Sequence, residues 1–67
     1  MMHIYKQEYQ HSHGKNPRGF GRWAFKFETF NNTSEPVFFP ASMYSDAAYA
    51  ARAYAKQIGA THIWLCS

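Results

Sequence analysis

Only one cysteine, Cys66, occurs in the 67 residues. That excludes an internal disulfide and a zinc site built on cysteines, the two staples on which domains this small often rely. Long apolar runs are also missing. No stretch approaches the ~20 residues that cross a bilayer, and the opening Met-Met-His-Ile-Tyr-Lys-Gln-Glu lacks the apolar core of a secretory signal. The expectation is a cytoplasmic chain with no membrane partner. Carboxylates are scarce too, four Asp and Glu against seven Lys and Arg. Acid–base chemistry would have to draw on Glu8, Glu28, Glu35 or Asp46, yet Glu35 lies in a turn, Asp46 starts a helix, and nothing pairs any two of them. Nucleophilic chemistry would have to recruit Cys66, beside the chain end, where side chains are seldom held tightly enough. No catalytic residue and no enzymatic activity are expected.

Rings are plentiful instead. Two Trp, five Tyr and six Phe sit in a chain that is 46% apolar, which is the composition of a folded protein and not of a disordered one. A chain this short buries only about 60% of the surface its unfolded state exposes, so residues 1–67 are expected to form one small domain in which aromatics do most of the burying.

Four histidines raise the question of a metal. His62 and Cys66 share a strand face, but four residues at ~3.3 Å each set them about 13 Å apart, too far for one ion. His11 and His13 could share an ion only with a third ligand returning in space, such as His3 or His62. Neither a metal site nor a cofactor is expected.

Residues 3–10 alternate Tyr5, Gln7 and Tyr9 with Ile4, Lys6 and Glu8, the pattern of a first strand. His11 to Gly19 concentrates glycine, proline and polar residues, so a long loop is expected there. From Arg22 to Phe30 the period is again two, with Trp23, Phe25 and Phe27 opposite Ala24, Lys26 and Glu28. Asn31 to Pro36 is a polar turn, and Val37-Phe38-Phe39 a short strand that Pro40 stops. A helix is expected from Asp46 to Ile58, capped by Ser45 and ended by Gly59. Ala47, Ala51, Tyr54, Ala55 and Ile58 form its buried face, with Tyr49, Arg52, Ala53 and Lys56 opposite. Thr61 to Cys66 is a last strand, Ile63 and Leu65 facing away from His62, Trp64 and Cys66. The fold class is α+β: a β-β-β-α-β chain in which a three-stranded meander and a returning strand make an antiparallel sheet with one helix on one face. The other face then retains exposed apolar residues, Phe30, Trp64 and either Tyr5 or Tyr9, which on so small a chain mark a partner surface or a second copy of the chain.

Charge is segregated. Residues 1–26 hold Lys6, Lys15, Arg18, Arg22 and Lys26 against Glu8, while residues 27–67 hold Arg52 and Lys56 against Glu28, Glu35 and Asp46, so the net charge of +3 originates in the N-terminal part. Between 15 and 26 four cations and no carboxylate interleave with Phe20, Trp23 and Phe25, a composition suited to phosphates and exposed bases. The bland alternative is a solubilising loop.

Arg18-Gly-Phe-Gly-Arg-Trp-Ala-Phe25 resembles the aromatic octapeptide of RNA-recognition motifs, agreeing at Arg18, Gly19, Phe20, Gly21 and Phe25 and departing at Arg22 and Trp23. That fold needs a strand, a helix and a strand before the octapeptide, and seventeen residues do not hold them. Arg18-Gly-Phe-Gly21 and Val37-Phe-Phe39 also resemble, in order, two motifs of bacterial cold-shock domains, but the spacing is longer here and a helix stands where that barrel has none, so the likeness is convergent. In size and type the chain resembles small phage- or mobile-element-encoded inhibitor proteins of the anti-CRISPR kind. That resemblance implies a protein that occupies host machinery, and the net charge of +3 is opposite to that of a DNA mimic.

The expectation is a non-catalytic binding protein that docks on a nucleic-acid-handling protein complex or on its nucleic acid. Lys15, Arg18, Phe20, Arg22 and Lys26 are the candidate contacts, and Phe30 and Trp64 a candidate protein interface. An autonomous single-stranded RNA or DNA binder and a structural homodimer are the alternatives.

Overall fold

Residues 2–66 are described by a computed structural model. Its elements are β1 (Ile4–Tyr5), α1 (Gln7–His13), β2 (Phe20–Gly21), β3 (Ala24–Glu28), β4 (Val37–Phe38), β5 (Ser42–Met43), α2 (Tyr44–Ile58) and β6 (His62–Leu65). The class is α+β, with α2 packed on one face of a four-stranded sheet ordered β1-β6-β3-β4; β2 and β5 form a separate two-stranded ribbon. The alternation in β3 works as its residue types require, because Trp23, Phe25 and Phe27 are buried toward α2 while Lys26 and Glu28 are partly exposed on the other side. β6 alternates likewise: Ile63 and Leu65 are buried, His62 and Trp64 half-buried.

The N-terminal strand is the main correction. Extended structure ends at Tyr5, and residues 7–13 are helical. Period two and period 3.6 compete in this segment, and the helix prevails because Tyr9 and His13, one turn apart, stack at 4.1 Å while Tyr9 packs on Trp23 at 5.6 Å. Gly14, at φ 69°, closes the turn by donating its N–H to the Gln10 carbonyl. Tyr9 therefore belongs to the core and not to the open face. The meander is corrected with it. β6 takes the place beside β3 that a strand over 3–10 would have held, pairing Phe25 with Leu65 and Phe27 with Ile63, and β1 joins β6 in parallel through Ile4–Ile63 and Tyr5–Trp64. Ile63 and Leu65 offer fully apolar partners to the Phe25 and Phe27 side, whereas residues 3–10 offer only Ile4 or a mixed Tyr-Gln-Tyr set.

Helix α2 begins at Tyr44, two residues before the expected start, with Met43 as N-cap and no side chain capping it. The Tyr44 N–H instead donates to the Gly19 carbonyl at 2.9 Å, so a neighbouring segment replaces the Ser45 cap. Ala47, Ala48, Ala51 and Ala55 are its buried residues, and the small side chains bring the helix close to the rings of β3. Ala48 joins the expected face, and Ile58, in the last turn, leaves it at 39% exposed. Tyr54 closes the margin edge-on to Phe27, centroids 4.9 Å apart.

Candidate nucleic-acid interface

The 14–23 segment is a strap tied at several points. At its start Gln10 Nε2 donates to Asn16 Oδ1 at 2.6 Å, and Pro17 is buried. At its end the Gly19 carbonyl accepts from Tyr44, and Phe20–Gly21 pair antiparallel with Met43–Ser42. The indole N–H of Trp23 donates to the Ser42 carbonyl at 3.1 Å, holding the ribbon over the end of the core. Gly21 lies on the Trp23 ring: a Cβ there would meet indole carbons at 3.7 and 3.8 Å. Since neighbouring residues of an extended chain point to opposite sides, Phe20 and Arg22 point outward. Phe20 is 71% exposed beside its cross-strand neighbour Met43, itself exposed.

Lys15, Arg18 and Arg22 are exposed along this strap, and among the described residues no carboxylate lies within 4.0 Å of any of them. Gly19, at φ 83°, makes the bend that leads the chain from Arg18 into β2. Four of the five candidate contacts thus lie on one short, tethered segment. Lys26 does not. It projects from β3 on the sheet face away from α2, where its ammonium stands 4.0 Å from Glu8 of α1.

That open face carries a second group of rings. Tyr5 stacks with Trp64 at 4.6 Å and with His62 at 5.6 Å, and His3 meets it in an edge-to-face pair at 4.8 Å. Trp64 also donates its indole N–H to Glu28 Oε1 at 3.2 Å. Phe38, on β4 at the other edge of the sheet beyond β3, is 67% exposed. Phe30, the other candidate interface residue, is almost wholly in water in the turn after β3, apart from Trp64 in sequence and in element. Cys66 lies next to this face, and burial pushes its thiol up; Lys26 nearby opposes that shift and Glu8 adds to it.

Two contributors escaped the sequence. Met43 becomes the companion of Phe20 only through the β2–β5 pairing, for which two-residue strands leave no periodic trace. The Tyr5–His62 contact depends on β1 lying parallel to β6, which alternation alone does not announce. No family model matches this chain, and neither a curated protein nor a solved structure gives a significant match.

Proposed function

We propose that this chain is a non-catalytic binding protein that docks on a nucleic-acid-handling complex by gripping its nucleic acid, with the 14–23 strap as the contact. The carrying observation is Phe20, a ring 71% exposed on a tethered ribbon and flanked by Arg18 and Arg22 without counter-ions within 4.0 Å among the described residues. Such a ring can stack on any base, and the cations on either side can follow the phosphates, a combination that favours single strands because their bases are free to stack. Tethering matters energetically: an ordered strap loses less conformational entropy on binding than a free loop does. The likeness in type to small anti-CRISPR inhibitors fits this reading as occupation of a nucleoprotein surface.

The test is fluorescence anisotropy of a labelled single strand titrated across salt concentrations. Arg18→Ala with Arg22→Ala is expected to flatten the log–log salt slope by up to two contacts of about 0.7 each, and Phe20→Ala to weaken binding by about 1–3 kcal/mol. Slopes and affinities unchanged in both variants refute the assignment.

A homodimer is the second reading, favoured by one observation: α2 covers one sheet face, while Tyr5, Trp64 and Phe38 lie on the other. Light scattering on the wild type and on Trp64→Ala separates it from a monomeric binder.

A further inference from the structure

A shallow groove runs along the outer side of α2, away from both the strap and the open sheet face. Met2, Tyr49, Arg52, Ala53, Lys56 and Ala60 line it. Tyr49, Arg52 and Lys56 stand at i, i+3 and i+7, one stripe of the helix. Arg52 is held in place, since its Nε donates to the Met2 carbonyl at 2.8 Å, which leaves the two terminal nitrogens of the guanidinium for another partner. Lys56 follows one turn later, about 6 Å along the axis. No Asp or Glu lines the groove, and neither cation has a carboxylate within 4.0 Å among the described residues. The Ala60 N–H is already donated to the Ala55 carbonyl, so a ligand anion would be met by side chains. Tyr49 leaves its ring 77% exposed at the margin, over an alanine-rich floor.

We infer that this groove binds a nucleotide bearing a terminal phosphate, with the phosphate on Arg52 and Lys56 and the base against Tyr49. A planar donor fork and an ammonium one helical turn apart supply two positive charges, which match a phosphomonoester with its three terminal oxygens and up to two negative charges. A carboxylate carries one charge and one oxygen fewer, so it neutralises only one of the two cations. The apolar floor strengthens the attraction by excluding water from one side. Free nucleotides and the 5′ end of a strand offer the same chemistry. The inference rests on the preceding reading only where a strand end is the source.

The experiment is a titration of the isotopically labelled protein, followed by amide NMR, with AMP, adenosine and glutamate as separate probes. AMP is expected to move the amides of Ala53, Lys56, Gly59 and Ala60 saturably and to leave Gly19 to Arg22 in place. Lys56→Gln should weaken AMP about tenfold, the loss of one charge-assisted contact, with the melting temperature unchanged. Arg52→Gln should do the same, and because it also frees Met2, the Lys56 variant serves as the decisive one. Adenosine or glutamate binding as tightly as AMP, or no groove shifts at about 10 mM AMP, overturns the inference. Strands with and without a 5′-phosphate identify the source: groove shifts from the phosphorylated but not the unphosphorylated strand, besides those from AMP, point to strand ends, and shifts from AMP with neither strand to free nucleotide. Strap shifts absent with every strand sink the nucleic-acid reading and leave the AMP result standing.

Discussion

Ala51 is fully buried on α2, packed in a core whose largest enclosed side chains are Phe25, Phe27, Ile63 and Leu65. Leucine at this position adds three carbons where helix and sheet are in contact, and overpacking of that kind costs about 1–3 kcal/mol. At roughly 0.05–0.15 kcal/mol per residue the whole chain is stable by only about 3–10 kcal/mol, so the loss is a large fraction of the total. For a domain of this size each kcal/mol lowers the melting temperature by about 4–8 °C, and Ala51→Leu should melt about 5–20 °C below the wild type. Ala53, two residues on and exposed, provides the control, since surface substitutions usually stay within about 0.5 kcal/mol. Circular dichroism melts of the two variants decide the matter. Equal shifts, or a larger one at Ala53, would refute the assignment of helix faces.

Gly59 has φ 75°, and a Cβ added there would have no neighbour within 4 Å, so Gly59→Ala should cost about 1 kcal/mol through the backbone alone, read as a lower urea midpoint; an unchanged midpoint contradicts the left-handed cap. Burial raises the Cys66 thiol, so its alkylation rate at neutral pH should fall below that of a free thiol and rise at higher pH. Lys26 lowers that pKa and Glu8 raises it, so Lys26→Met should move the rate profile further up the pH scale and Glu8→Gln should move it down; profiles that stay in place would show that neither charge acts on the thiol, and shifts of the opposite sign would refute the assigned causes.

The parts of the molecule that could be read along the chain are those whose periodicity has no competitor. β3 alternates two-fold with large rings on one side and charges on the other, and it folds as that pattern requires. The alanine face of α2 and its glycine stop are similarly local, whereas its first residues and the exposure of Ile58 are not, because Gly19 replaces the cap and no partner in the core covers Ile58. In residues 3–10 two periods fit the same letters, and the contact of Tyr9 with Trp23, fourteen positions away, helps to settle the choice.

From the sequence alone came the α+β class, the buried side of β3 and β6, and the segment on which Lys15, Arg18, Phe20 and Arg22 are displayed, because each rests on residue type and spacing within a short window. Tertiary structure alone decided that β6 lies between β1 and β3, that Lys26 faces Glu8 on the far side of the sheet, that Phe20 has Met43 as neighbour, and that Arg52 is anchored to Met2 beside Lys56. Strand partners and side-chain neighbours distant in sequence depend on which of several compatible apolar faces bury one another best, and that competition is resolved only when the whole chain packs.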